Sequence, residues 1–437
     1  MHSKNDTNLG RMRGGVLKTA GFALALWVVF HASAAQAVYY YLLPGSNDWN
    51  SAASWSTNSA GSAGNGLVPD YSTDPAVRSY VGYHNYQLLS NRTVIVSNTV
   101  PEQGTVYVGG GGVLVVRSGG TIVSRQSTQI GSVFYTGQPK TGELRIEGGF
   151  YGVSNAFYVA HSTASMTGTV NITGGELKTF LNAFIGNVSN GLGRVSISGG
   201  QWTMTGANRL TIGGEPYATG ELNLSGTGVI SNFNGNGDAR WLFFIGEQTN
   251  AAGTFRQSGG KYVASTNYNG LYLTRYVSST GTYAISGGLL DLSKGASVSN
   301  GLGTARFEVD GKWEPAITNI RIGGKFTLNT ALCTLAVKAN ADGVEQINVS
   351  GSADLSNSVL EVSLADGYTV ATPTTLDLLT ATTITTSGMT LDQSKLPAGY
   401  SVSEWSVVDG GNGKILKITI KKSSPLGLYL ILGADNL

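Results

Sequence analysis

The sequence predicts an all-β chain folded as a right-handed, single-stranded parallel β-helix, a solenoid of about 27 residues per coil with three strands in each. Three observations predict it. The first is a repeated phrase, Gly-x-apolar-x-apolar-x-Gly-Gly, between Gly142 and about Gly311. Its copies are Gly142-Glu-Leu-Arg-Ile-Glu-Gly-Gly149, Gly168-Thr-Val-Asn-Ile-Thr-Gly-Gly175, Gly193-Arg-Val-Ser-Ile-Ser-Gly-Gly200 and Gly281-Thr-Tyr-Ala-Ile-Ser-Gly-Gly288, with looser copies opening at Gly220 and Gly253. The second is spacing. The first glycines of the closing pairs, Gly119, Gly148, Gly174, Gly199, Gly226, Gly259 and Gly287, are 25 to 33 residues apart, a period in the solenoid range. The third is a pair of further strand signals in each period. An apolar-x-apolar-Gly step recurs halfway through, as in Val106-Tyr-Val-Gly109, Leu210-Thr-Ile-Gly213, Phe243-Phe-Ile-Gly246 and Ile320-Arg-Ile-Gly323, and a short run follows the glycine pair, as in Gln201-Trp-Thr-Met204.

Alternation inside each copy has period two, so Val195 and Ile197 face one way while Ser196 and Ser198 face the other. Stacking the copies predicts an inward ladder of Leu144, Val170, Val195, Leu222, Phe255 and Tyr283. Glycine suits the corners because it turns the chain in few residues without a Cβ clash. An antiparallel sandwich or barrel would instead use Asn-Gly hairpin turns at spacings of about 8 to 12 residues.

Composition agrees with repetitive β structure: 437 residues contain 62 glycines and only 12% charged residues. At the N-terminus, 1–37 reads as a secretory signal, with Lys4, Arg11, Arg13 and Lys18 before an apolar core at 20–29 and Ala35-Gln-Ala37 as the cleavage site. Its apolar run is short for a transmembrane anchor, and no span is expected in the mature chain. Cleavage before Val38 leaves 24 basic and 25 acidic residues, so a basic stripe for nucleic acid is excluded. Cys333 is the single cysteine, which rules out an internal disulfide and leaves stability to the stacked core.

Residues 38–100 are expected to cap the open end of the core, with Trp49, Trp55, Tyr80, Tyr83 and Tyr86 as packing aromatics; sugar stacking is the alternative for these rings. The repeats occupy 101–325. Their widest period carries an insertion, Ser231-Asn-Phe-Asn-Gly-Asn-Gly-Asp-Ala-Arg-Trp241, and insertions in repeat proteins map to loops on one face. Asn234-Gly-Asn-Gly-Asp238 is similar to a calcium-binding glycine-aspartate phrase, but that site needs several tandem copies, so a polar loop is expected.

Beyond Gly311 the pattern changes but stays β: Ile347-Asn-Val-Ser-Gly-Ser-Ala-Asp-Leu355 leads to Val359-Leu-Glu-Val362, Leu376-Asp-Leu-Leu-Thr-Ala381 and Lys414-Ile-Leu-Lys-Ile-Thr-Ile420. On Ile347, Val349, Gly351, Ala353 and Leu355 the chain resembles bacterial autotransporter-associated β-strand repeat proteins, and 326–420 resembles the last coils of a pertactin-like passenger domain, without the membrane β-barrel. The resemblance implies a β-helical scaffold at the cell surface and transfers no catalytic residue. The tail, 421–437, reads as a truncated sorting signal, a final capping strand or a disordered end.

For chemistry the sequence offers little. Glycoside hydrolysis needs two facing carboxylates about 5 to 9 Å apart, and lyase chemistry needs an acid cluster for calcium plus a base. Here the acids are scattered, and Asp238, Arg240 and Glu247 form the best patch. His84 and His161 are too far apart to read as a metal pair, so no metal or cofactor is expected. The expected function is an exported, monomeric surface protein, structural or adhesin-like and without catalysis, with surface glycans or envelope proteins as partners. Asp238, Arg240, Trp241, Glu247, Tyr268, Tyr272 and Tyr276 are the candidate ligand-binding residues. The alternative is a polysaccharide lyase, glycoside hydrolase or carbohydrate-binding module on the same scaffold. Three acids converging in one groove would favour the enzyme, and a row of coplanar aromatics the binding module.

Overall fold

The computed structural model describes residues 39–42, 48–51, 55–56, 68–70, 72, 77–81, 93–132, 140–206, 209–233, 242–264, 270–312, 319–370 and 373–422. The expected signal, most of the 231–241 insertion and the tail from 423 onward lie outside them. The described residues form strands and turns with no helix, so among them no helix is long and apolar enough to cross a membrane.

Each coil has three faces, which the coil opening at Leu192 displays separately. Leu192–Ile197 lies on the first face, Gln201–Thr205 on the second and Arg209–Ile212 on the third. All three pair in parallel with the equivalent strands of the next coil, Thr219–Leu224, Val229–Phe233 and Leu242–Ile245. In Thr167–Thr179 the chain rounds the Gly174-Gly175 corner without leaving the ladder, so the first two faces merge into one 13-residue strand.

The expected inward ladder is present rung by rung. Val94 pairs with Leu114, then Leu144, Val170, Val195, Leu222, Phe255, Tyr283, Phe307, Leu335 and Leu360 in register. All of these side chains are fully buried. Each buried aliphatic rung contributes roughly 1.5–3 kcal/mol by transfer from water. Parallel pairing holds the next copy one strand spacing, about 4.8 Å, above it.

Backbone proximity explains why the phrase opens with glycine. The corner between third and first faces closes with the Gly213 N–H donating to Ile185 O at 2.7 Å, and Gly213 turns there with φ of 73°. Gly220 lies directly against this bond: a Cβ on it would stand 2.4 Å from both Gly213 N and Ile185 O. A side chain at 220 therefore cannot coexist with the closed corner.

Three features depart from the sequence expectation. Ile320–Ile322 pairs with Leu290–Leu292 and Ile347–Val349, which places Ile320-Arg-Ile-Gly323 on the second face and not at the halfway step its pattern copies. An apolar-x-apolar-Gly string suits either corner, and register alone selects. The coils expected through 420 also end earlier. Parallel stacking on the first face reaches Thr390–Asp392, and the chain then folds back as an antiparallel hairpin, Tyr400–Gly410 with Gly413–Lys422, whose second strand runs antiparallel to Thr374–Ala381. Finally, Tyr39–Leu42 already pairs in parallel with Arg78–Val81, so the third face begins inside the segment expected to cap the core, ahead of Thr93–Val96.

The capping part is Trp55–Ser56, antiparallel to Tyr41 and Leu42. Trp49 and Trp55 are fully buried edge to face at 4.8 Å, and the Trp55 indole N–H donates to Trp49 O at 2.8 Å. These two rings pack the end of the core and offer no platform to a sugar. Tyr83 and Tyr86 lie outside the described residues. The family-like stretch divides at a corner: Ile347 and Val349 are buried on the second face, Ala353 and Leu355 at the third, with Gly351 between.

Candidate functional site

The third face differs from the other two in what it turns outward. Its strands are short, so one central residue in each points away from the core while both neighbours point in; Phe184 lies between core residues Ala183 and Ile185. In register these central residues run Tyr80, Tyr107, Gln129, Tyr158, Phe184, Thr211, Phe244, Tyr272 and Ser299. Because coils are about 4.8 Å apart, neighbouring rings stack or tilt against one another. Tyr80 and Tyr107 are 4.7 Å apart at 7°, Tyr158 and Phe184 5.4 Å at 8°, and Phe244 and Tyr272 5.3 Å at 36°.

Two arginines lie over this row. The Arg209 guanidinium sits 4.9 Å from the Phe184 ring centre, and that of Arg275 sits 5.3 Å from Phe244 and 5.0 Å from Tyr276. Both donate through Nη1 to the same oxygen, Glu247 Oε1, at 2.6 Å, while Thr211 Oγ1 donates to Oε2 at 3.1 Å. Glu247 is wholly buried, whereas the Arg275 side chain is 43% exposed. A buried carboxylate is costly unless paired and hydrogen-bonded, and this one is both. Glu247 is therefore not an accessible acid. It is the anchor that holds two guanidinium groups against aromatic rings, and the cluster carries one excess positive charge.

Beside Arg275 the surface opens into a cleft of about 310 Å³ lined by Phe244, Tyr272, Thr274, Arg275, Asn300 and Gly301. Its polar rim is ordered: Gly301 N–H donates to Thr274 Oγ1 at 3.0 Å, and Asn300 Nδ2 donates to Gly301 O at 3.1 Å. Tyr276, 38% exposed, flanks it through Arg275.

Further along the row, His161 stacks on Tyr158 at 4.2 Å. It follows Ala160, which takes φ of 60° at the corner position that Gly186 and Gly213 hold in later coils, so His161 is a turn residue. Burial pushes its imidazole below the ordinary value, partly opposed by the Asn187 carbonyl. His161 Nδ1 lies 3.0 Å from Asn187 Nδ2 and 3.5 Å from Asn187 O, so it accepts from the amide when the ring is neutral with its proton on Nε2 and faces the carbonyl as a donor when the ring is charged. Tyr158 is raised by burial, offset in part by the Arg209 charge.

Of the seven candidate ligand-binding residues, the structure brings Glu247, Tyr272 and Tyr276 together around Arg275. Asp238, Arg240, Trp241 and Tyr268 lie outside the described residues. Sequence reasoning missed Arg209, Arg275, Phe184 and Phe244. A signal for the rings was present, since each is the middle residue of a halfway step: Ala-Phe-Ile, Phe-Phe-Ile, Leu-Tyr-Leu. The scattered acids are also less isolated than their sequence positions suggest. Arg194 donates to Glu221, 27 residues on, at 3.0 Å, and Arg306 reaches Glu361 two coils away at 2.8 Å. Acids one period apart from a base are neighbours across the stack.

Chemically, the arrangement around Glu247 is a fixed ion cluster. The carboxylate has both oxygens occupied, and among the described residues no three His, Cys, Asp or Glu side chains gather in a geometry for a metal ion. No protein-family model matches the chain, and no curated protein matches it at a significant level.

Proposed function

We propose that the chain is an exported, non-enzymatic surface protein whose solenoid presents a long, regular face for adhesion or envelope structure, similar in build to an autotransporter passenger domain. Glycans or other envelope proteins are its partners. The observation that carries this proposal is how the charged side chains are used. Arg194 with Glu221, Arg117 with Glu147 and Lys338 with Asp310 pair from coil to coil, and Glu247 is spent on Arg209 and Arg275. Such pairs tie the stack together; where acids do approach one another, as Glu308 and Glu361 do on Arg306, a guanidinium stands between them. Along the third face Tyr80, Tyr107, Phe184 and Phe244 are buried, and the partly exposed Tyr158 and Tyr272 are the rings that favour a binding surface within this proposal over a bare scaffold.

The test has two parts. Full-length protein expressed in a bacterial host with an outer membrane is expected in the extracellular or surface fraction with a new N-terminus at Val38. Retention in the cytoplasm with 1–37 intact would overturn the export proposal. Incubation with a polysaccharide panel is expected to release neither reducing ends nor unsaturated products. Turnover that survives repurification would make the protein an enzyme.

A further inference from the structure

The cleft beside Arg275 has the composition of a binding site for one class of ligand, and it is more specific than a long adhesive face requires. Its floor is aromatic, Phe244 and Tyr272, with ring centres 5.3 Å apart. Its rim is polar and neutral, Thr274 and Asn300. Its one charged group is Arg275. That guanidinium is already oriented: Nη1 is anchored on buried Glu247, and its plane lies against Phe244 and Tyr276. The anchor uses one nitrogen, so the remaining donors of a planar, permanently charged fork stay open for a ligand. Arg209 neutralises the Glu247 charge from the other side, which leaves Arg275 with an uncancelled positive charge at the cleft.

We infer that this cleft binds an anionic saccharide, with a sugar ring against Tyr272 and its carboxylate on Arg275. The inference rests on the proposed glycan-facing role and names its ligand class. Each feature supplies one element of recognition. Aromatic faces take the apolar face of a pyranose ring, the fork takes a carboxylate by charge-assisted hydrogen bonds, and the half-buried Asn300 amide keeps one N–H for a hydroxyl, while fully buried Thr274 serves to hold Gly301. The immobilised guanidinium lowers the ordering cost of binding. Neutral glycans lack the partner for Arg275, and simple polyanions lack the ring for Tyr272.

The test uses purified protein, titrated by calorimetry with oligogalacturonate, with the same oligomer after methyl esterification, and with inorganic polyphosphate. Expected is binding of the free acid, weakened at least about tenfold by esterification, with weakening by salt. Tyr272→Ala is expected to lower affinity about 3- to 10-fold, the worth of an aromatic contact. Arg275→Gln is expected to lower it at least about tenfold. Because Arg275→Gln also unbalances Glu247, Tyr272→Ala serves as the variant that leaves this ion cluster intact. Arg209→Gln, which lines no part of the cleft but removes the charge that neutralises Glu247, is expected to weaken binding of the free acid, and by less than Arg275→Gln does. Circular dichroism melts establish that each variant is folded.

Equal affinity for the esterified oligomer, or for polyphosphate, would overturn the inference, as would undiminished binding by folded Tyr272→Ala. Absence of binding to every probe also overturns it. None of these outcomes touches export or turnover, which fail or stand on the fractionation and product assays.

Discussion

Coils threaded by Leu144, Val170, Val195 and Leu222 occupy the same rungs as coils threaded by Phe255, Tyr283 and Phe307, yet their interiors are built differently. On the first face the first group is aliphatic at both inward positions, where Ile146, Ile172, Ile197 and Leu224 continue the second ladder, and its buried aromatics, Tyr151, Phe157 and Trp202, come from the other two faces. In the second group, Phe243, Phe255, Tyr262, Tyr283, Phe307 and Phe326 pack edge to face or tilted at 4.9 to 5.9 Å. The second ladder is interrupted there by Gln257, which is buried. The interruption has a physical cause. Tyr283 brings a hydroxyl into the core, and that hydroxyl donates to Gln257 Oε1 at 2.6 Å while Gln257 Nε2 donates to Leu289 O at 2.9 Å. Burial raises the Tyr283 phenol well above its usual range, so it remains a neutral donor. A parallel stack can therefore widen its core with aromatics, provided each added polar atom finds a partner one coil away.

The largest expected effect tests what the two regions share. Gly281 carries the opening-glycine role into the aromatic coils, and a Cβ there would lie 1.2 Å from Leu273 O and 2.2 Å from Ile245 O. Gly281→Ala is expected to cost more than about 4 kcal/mol, read from denaturant melts or failure to accumulate folded protein. The next rungs in register are Ala305 and Cys333, so Ala305→Gly is expected to be mild. Equal tolerance at 281 and 305 would break the account of the closed corner.

Core truncation separates the regions. Phe255→Ala is expected to cost about 3–5 kcal/mol, against about 2–5 kcal/mol for Leu222→Ala one coil below. If the leucine variant proves clearly the worse, the aromatic coils are loosely packed. Removing one hydroxyl is smaller: Tyr283→Phe orphans a buried amide oxygen and is expected to cost about 1–3 kcal/mol. Adding Gln257→Leu to it should recover much of that loss, and no recovery would mean that the pair is not coupled.

Two smaller effects concern the aliphatic side. His161 has a folded value below its unfolded one, so the unfolded chain binds the proton first and stability falls as pH drops from the ordinary imidazole value through the lowered one. His161→Gln is expected to flatten stability against pH in that window, and an unchanged slope would assign it to other groups. Least of all, Arg194→Ala removes an exposed inter-coil pair with Glu221 and is expected to cost about 0–1 kcal/mol, diminishing in high salt.

Much of this architecture was legible because a solenoid writes its tertiary contacts as a period. Val195 and Leu222 stack because they are one repeat apart, and the repeat is visible in the chain. The site was less legible. Glu247 reads as a lone acid, and its partners Arg209 and Arg275 lie 38 and 28 residues away; only the second separation is close to the period. Tyr272 and Phe244 could have been joined by their shared place in the halfway step, since both precede an inward apolar residue.

By itself, the amino-acid sequence determined the coil, its three strands, the inward ladder and the need for glycine at closed corners, since alternation, period and backbone crowding are local or repeating properties. The tertiary structure alone decided what lies where the repeat fails. It moved Ile320–Ile322 to the second face, turned the last strands into an antiparallel hairpin, buried Glu247 between two arginines and opened a cleft beside one of them. These outcomes depend on register and on side chains reaching across irregular spacings, and neither is written in any single stretch of the chain.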